Sequence, residues 1–407
     1  MNLRRKSVRM VTATLIASTS FGIVGVLANA SNSHADPAYA AGGANSPRVG
    51  VGSDTIQAVF DAYTGAEPYP PAANTVHYIP MVNPATGVGV ASFDAIPAGG
   101  SATAPGCITP KPGGTTFDRP NGSGNGIAAL NDTLSGTAWL ASTASCTGVG
   151  VSVTGQIDFA RSSSGVTTTG TTLTWIPFAR DAVSVAYFDH STNNLASLTG
   201  AQLTNLYSSA TGSITVGTDT VLACLPQSGS GTRKFFEKAI GVTDTVAAAA
   251  VTASGCSATE ENGANTFYTY ASGLPAGTDA VIPFSVGSWI SQANGAATDA
   301  SATGRANGVD LANLDALGKP YTGTPGTEAP VTAFYSSTTW GRNVYVVVLT
   351  RALGTALGKD TTLQALFSGS TAQICNTTSQ ATANKFGFDS LTAAEGTCGA
   401  TTLQGAN

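Results

Sequence analysis

The sequence predicts a mixed α/β fold on three observations. Short apolar strands alternate with segments whose apolar residues recur at helical spacing. Three of the passages from strand to helix run through a loop of Gly, Ser and Thr. No repeat with a period of 20–50 residues is present, which sets aside solenoids and propellers.

The elements follow in chain order. Residues 1–35 read as a signal peptide. Arg4, Arg5, Lys6 and Arg9 precede a diluted apolar run, Val11 to Ala28, and a small-residue exit with cleavage expected after Ala35. The Arg4-Arg5 pair alone does not specify a twin-arginine signal. Residues 36–47 read as a flexible leader. Val49 and Val51 form a strand that ends in Gly52-Ser53-Asp54-Thr55. A helix follows with Ile56, Val59, Phe60 and Tyr63 on one face. The stretch to about residue 117 is rich in Pro and Gly and reads mostly as loop. Asn121-Gly122-Ser123-Gly124 opens a second helix with Ile127, Leu130 and Leu134 inward. Gln156 to Ala160 reads as a strand ending in Arg161-Ser162-Ser163. Leu173 to Phe178 and Val183 to Phe188 are strands, Leu198 to Tyr207 a helix, and Val221 to Leu225 a buried strand. That strand runs into Ser228-Gly229-Ser230-Gly231-Thr232, which opens a helix with Phe236, Ala239 and Ile240 inward. Val344 to Leu349 is a buried strand too short to cross a membrane.

Composition narrows the function. The chain has 407 residues and a formal charge of −5 from 18 Lys and Arg against 23 Asp and Glu. Loss of the four N-terminal cations gives 14 − 23 = −9. An acidic surface excludes nucleic acid as the expected partner, though not a small anion inside a cleft. Six cysteines in an exported chain imply disulfides. Fifteen connectivities are open, and consecutive pairing is the expectation: Cys107 with Cys146, Cys224 with Cys256, Cys375 with Cys398. No C-x-x-C occurs, so no metal and no cofactor are expected. The first cysteine lies far from the cleavage point, so no lipid anchor is expected.

The three Gly/Ser loops carry the chemistry. Free N–H groups at a helix start and the positive end of its dipole form an anion site, and Ser or Thr adds hydroxyl donors. The third loop lacks the spacing of a P-loop, and no G-x-S-x-G elbow occurs. His34 lies in the signal peptide, which leaves His77 and His190 for a mature enzyme; no catalytic residue is expected.

Val49-Gly50-Val51-Gly52-Ser53-Asp54-Thr55 resembles the first strand and loop of the phosphate-binding proteins of ABC transporters. Asn121-Gly122-Ser123 resembles their second loop and Ile157 to Ser163 their third strand and ligand loop. Leu198 to Tyr207 resembles the first helix of their second lobe, Ser228 to Thr232 their G-S-G-T loop, and Arg342 to Thr350 and Lys385 to Phe388 their last core segments. The resemblance implies two α/β lobes hinged by two crossing strands, with the ligand in the cleft. Lobe I would be residues 48–177 plus 327–407 and lobe II residues 178–326. It implies phosphate or a related oxyanion as ligand, an ABC permease as partner, and a monomeric, secreted, non-enzymatic protein. Ser53, Asp54, Thr55, Ser123, Arg161, Ser162, Ser163, Ser230, Gly231, Thr232 and Arg233 would line the site. Two positions depart from the family. Ser163 stands where the family has an Asp, and Pro226 where it has an Arg. Asp54 is the substitute for the acid: it would accept the proton of HPO4, which sulfate lacks. Arg161 and Arg233 are the substitutes for the arginine. A surface or cell-wall module that keeps the fold with an altered or lost ligand is the first rival, and an extracellular hydrolase the second.

Overall fold

A computed structural model describes residues 36–37, 46–65, 78–97, 100–141, 146, 148–190, 194–258 and 263–406. The signal peptide expected over 1–35, most of the leader and His77 lie outside the described residues.

The fold is mixed α/β, organised on one large sheet. In chain order the elements that place the site are β1 (Arg48–Gly52), α1 (Gln57–Tyr63), β2 (Val90–Ser92), α2 (Gly122–Ser135), β3 (Phe159–Ser162) and β4 (Thr168–Phe188). They continue with α3 (Gly200–Ser208), β5 (Ser213–Val216), β6 (Asp219–Ala223), α4 (Gly231–Ala239), β7 (Thr278–Ser285), α5 (Val286–Ala293) and β8 (Gly341–Leu349). The strand order is β5-β6-β7-β4-β8-β3-β1-β2. The β1–β2, β1–β3 and β6–β7 pairs are parallel; β8 lies antiparallel to β3 and β4, β7 to β4, and β5 to β6.

β4 ties the sheet together. Its residues 173–182 pair with β8, and its residues 183–188 pair with β7. The sequence breaks this strand in two because Arg180-Asp181 interrupts the apolar run. The structure keeps it whole because both side chains are partnered. Arg180 donates to the carbonyls of Tyr335 and Ser337 and to Asn343 Oδ1. Asp181 accepts from Ser285 Oγ, the Gly287 N–H and Arg342. Pro177, which has no N–H for the ladder, sits at a register shift in β8 between Val344 and Tyr345.

Buried apolar residues collect in three clusters. One holds Val183, Leu206, Tyr207, Phe236, Phe284 and Trp289. The other two lie about β1, β3 and β8, one around Phe60, Phe159, Phe178 and Phe367, the other around Val49, Ile127, Leu173 and Trp175. Phe334, Tyr335 and Trp340 belong to the first cluster, and Ala296 and Ala297 to the second, so packing does not follow the 326/327 boundary.

All six cysteines are bonded in consecutive pairs, Cys107–Cys146, Cys224–Cys256 and Cys375–Cys398. Some local expectations shift. The strand expected at 156–160 runs from Phe159 to Ser162; before it, the Val49 N–H bonds the Asp158 side chain in place of a backbone carbonyl, and Lys111 Nζ holds the same carboxylate. The helix expected from Leu198 starts at Gly200 behind Thr199, which forms a capping box with Gln202. No helix among the described residues is long and apolar enough to cross a membrane.

Candidate functional site

The three Gly/Ser loops meet at one point. β1 and β3 run parallel, with Gly52 opposite Arg161, so the loops that leave them lie side by side. Gly52 has φ 110°, where only glycine is comfortable, and a Cβ there would lie 2.7 Å from the Arg161 carbonyl oxygen. Ser53 Oγ therefore reaches Ser163 Oγ at 3.1 Å. Thr55 Oγ1 donates to the same oxygen at 3.3 Å. Ser123, in the first turn of α2, accepts from the Ser163 N–H at 3.0 Å and lies 3.3 Å from its hydroxyl. α4, which follows β6, joins the network through its first turn. Ser230 caps it by accepting from the Arg233 N–H. A Cβ on Gly231 would stand in the region of 2.3 Å from both Ser123 Oγ and Ser163 Oγ, so this backbone touches the ring only because it is glycine. Thr232 Oγ1 lies 3.3 Å from Thr55 Oγ1. Five buried hydroxyls from four loops are thus joined in one network.

A sixth group belongs to this network. Arg342, near the start of β8, donates through Nη2 to Thr232 Oγ1 at 2.9 Å. Its Nε and Nη2 also bond Asp181 Oδ2 at 2.9 and 2.7 Å. Asp181, with further donors from Ser285 and Gly287, fixes the guanidinium. Nη1 has no partner although the residue is only 3% exposed. Arg342 also lines a cavity of about 420 Å³ with Ser164, Lys234, Lys238 and Tyr345. A fixed guanidinium with spare N–H groups suits a planar or tetrahedral oxyanion.

The other expected residues fall outside the network. Arg161 is a correction. Its five N–H groups go to the carbonyls of Gly50, Gly52, Ser53 and Phe93 and to Ser92 Oγ, so it is a structural anchor under the loops with nothing left for a ligand. Burial lowers its pKa, offset by the charges of Asp61, Asp94 and Asp54. The same burial pushes Asp61 up to about 7 against the pull of Arg161 and hydrogen bonds from Ser92 and Asp94. Arg233 is a second correction. It turns to Glu237, Asp244 and the Pro226 carbonyl. Glu237 is raised to about 7, burial outweighing Arg233. Ser162 closes its own turn, donating to the Ser164 carbonyl and accepting from its N–H. Asp54 does not cap α1, whose N-cap is Ile56 without a side-chain bond. It is 6% exposed, lies between two residues of the network, and neither carboxylate oxygen has a partner.

The two sides of the network touch elsewhere. The Gly124 N–H donates to the Gly229 carbonyl at 3.0 Å, Gln227 Nε2 to Asn121 Oδ1 at 3.3 Å, and Ser288 Oγ to the Thr55 carbonyl at 3.3 Å. Arg342 and Asp181 are the functional candidates that sequence reasoning missed. The available signal was an arginine opening a buried strand in a chain with only 10% charged residues.

No model of a known protein family matches the chain, and no curated protein does. Solved structures of phosphate-binding proteins do. The chain is similar to an ABC-type phosphate transport receptor from Vibrio cholerae at 15% identity, covering 84% of this chain and 100% of that one, with a TM-score of 0.45. It is similar to PstS from Borrelia burgdorferi at 12% identity over 86% and 99%, with a TM-score of 0.42. It is also similar to a phosphate-binding protein from Stenotrophomonas maltophilia at 14% identity over 86% and 91%, with a TM-score of 0.40.

Proposed function

We propose that this protein binds a protonated tetrahedral oxyanion, phosphate above all, without chemical change, in a cleft between two hinged lobes. The observation that carries the reading is the convergence of Ser53, Thr55, Ser123, Ser163 and Thr232 around one point, with the unpaired Nη1 of Arg342 beside them. The start of α2 and the start of α4 add backbone donors and favourable dipole ends.

Energetics support the exchange that binding requires. The hydroxyls now bond one another, as neutral pairs worth about 0.5–1.5 kcal/mol each; bonds to a charged partner are worth about 1.5–3 kcal/mol. An oxyanion therefore displaces the hydroxyl–hydroxyl bonds at a gain. Asp54 supplies selectivity: a carboxylate without a donor accepts the proton of HPO4 and repels sulfate, which has none. In this reading lobe I is residues 48–177 plus 327–407 and lobe II residues 178–326, with exchanges at the boundary where Phe334, Tyr335 and Trp340 pack with lobe II and Ala296 and Ala297 with lobe I, and β4 and β8 are the crossing strands. None of the three disulfides links one lobe to the other, which leaves hinge motion free. The fully paired cysteines suit an oxidising compartment outside the cell. Delivery to a separate ABC permease by a monomer is part of the proposal and rests on the sequence resemblance.

One observation favours a second reading. Each hydroxyl of the network already has a hydroxyl partner and needs no ligand to satisfy it, as in a surface module of this fold that has lost its ligand. Calorimetric titration of the purified protein with phosphate and with sulfate decides between them. Saturable phosphate binding with weak or absent sulfate binding is expected; no heat from either ion supports the second reading.

A further inference from the structure

A second group of acids lies at the start of β6, the end opposite the one that leads into the loop of Ser230 and Thr232. β7 runs antiparallel to β4, with Ala280 opposite Phe188, and parallel to β6, with Val221 opposite Asp279. The last residues of β4 and the first of β6 and β7 therefore share one edge. Asp189 follows β4, Asp219 opens β6, and Asp279 is the second residue of β7. Carboxylate oxygens of the three lie within 4.8 Å of one another.

Asp279 makes this more than a patch of acids. It is wholly buried. Its Oδ1 accepts from the His190 N–H at 3.0 Å and faces His190 Nδ1 at 3.2 Å. Its Oδ2 has no hydrogen-bond partner. A buried carboxylate oxygen without a donor is costly, and two neighbouring carboxylates raise the cost unless a cation or a shared proton offsets it. The surrounding groups are held in place. Asp219 Oδ1 accepts from Thr218 Oγ1, Asp189 Oδ2 accepts from the Leu195 N–H, and His190 packs edge-on against Phe188.

We infer that Asp189, Asp219 and Asp279 form a binding site for a hard divalent cation of the calcium class. The ligand atoms are three carboxylate oxygens, a set that suits hard cations, whereas structural zinc sites are built on cysteine and histidine. Calcium accepts six to eight oxygens in flexible geometry, so three carboxylates and water complete its shell. Magnesium demands near-ideal octahedral geometry and binds more weakly here. The expectation of no metal rested on cysteine spacing and did not weigh carboxylates brought together by strand pairing. A bound ion would clamp the ends of three neighbouring strands. Because the unfolded chain cannot assemble the cluster, binding would appear as added stability.

The test is thermal unfolding of the full secreted chain, stripped with a chelator and titrated with CaCl2 up to about 10 mM, above the range of extracellular calcium modules. MgCl2 is run in parallel, and Tb³⁺ luminescence reports direct binding. The melting temperature is expected to climb with calcium, less with magnesium, and the response is expected to vanish in Asp279→Asn. If that variant does not fold, Asp219→Asn carries the comparison. A stripped wild type whose melting temperature ignores calcium overturns the inference. So does a full calcium response in Asp219→Asn. A cluster relieved by a shared proton would instead be stabilised as pH falls, with no calcium response, which also overturns it.

Discussion

Two arginines are buried at the ends of neighbouring strands, and they do opposite work. Arg161 lies near the end of β3 and Arg342 near the start of β8. Arg161 is fully buried, bonds four backbone carbonyls and a serine, and has every N–H engaged. Arg342 bonds one carboxylate and one threonine and keeps Nη1 unpaired. The first holds the loop backbones in place, and the second, in the proposed reading, keeps donors for the ligand. An arginine adjoining a ligand loop in sequence is thus a weaker guide to binding than the number of its donors left over.

The largest effect should separate the two. Arg161→Met removes the guanidinium whose charge acts on Asp61 and leaves several carbonyls without donors. Breaking such a buried ionic arrangement costs about 3–5 kcal/mol. Denaturant unfolding should show that loss, and the folded fraction should bind phosphate as before. A variant of normal stability would mean that Arg161 is no anchor.

Arg342→Lys tests the other half. Lysine keeps a charge near Asp181 but, as a compact point donor, lacks the planar fork that bonds Asp181 and Thr232 and leaves Nη1 for a ligand. Loss of a charge-assisted bond of about 1.5–3 kcal/mol predicts phosphate affinity lower by roughly 10- to 150-fold. Stability should fall less than in Arg161→Met. Equal affinity in wild type and variant would place the ligand elsewhere.

Asp54→Asn sharpens the comparison on the acid side. An amide can donate to either ion, so phosphate should weaken, sulfate should strengthen, and their ratio should narrow by about tenfold, the equivalent of one charge-assisted hydrogen bond at its lower limit. An unchanged ratio in parallel titrations would leave Asp54 without a role in selection.

The smallest effect is on pH. Asp61, raised to about 7 by burial beside Arg161, holds a proton in the folded chain that the unfolded chain has released above about pH 4. The folded state then binds more protons, so this contribution falls as pH rises from about 4 to 7 and is level above that. Glu237 and Glu328, also raised to about 7 mainly by burial, act with the same sign. Urea midpoints should be higher at pH 5.5 than at pH 8, and Asp61→Asn should flatten the slope.

Much of this was legible in the sequence where the cause was local. Gly52 to Thr55, Asn121 to Ser123 and Ser230 to Thr232 are strand, turn and helix-start signals within a few residues, and each stands where its pattern places it. β7 went unread because Pro283 sits in the middle of a central strand, where a missing N–H normally argues against one. β2 is three residues long and shows no alternation. The sequence shows Arg342 at the start of a buried strand but not its role, which depends on Asp181, 161 residues away, and on Thr232, 110 residues away. The corrected roles of Arg161 and Arg233 have the same origin: sequence places an arginine beside a loop, and only packing shows where its donors go.

The most direct test is a crystal soaked with arsenate, the heavier analogue of phosphate, and read by arsenic anomalous scattering. The account predicts one peak enclosed by Ser123, Ser163, Gly231 and Thr232, within hydrogen-bond reach of Arg342 Nη1, with the hydroxyls turned from one another to the ion. A peak beside Arg161 or Arg233, or none at saturating arsenate, would contradict it.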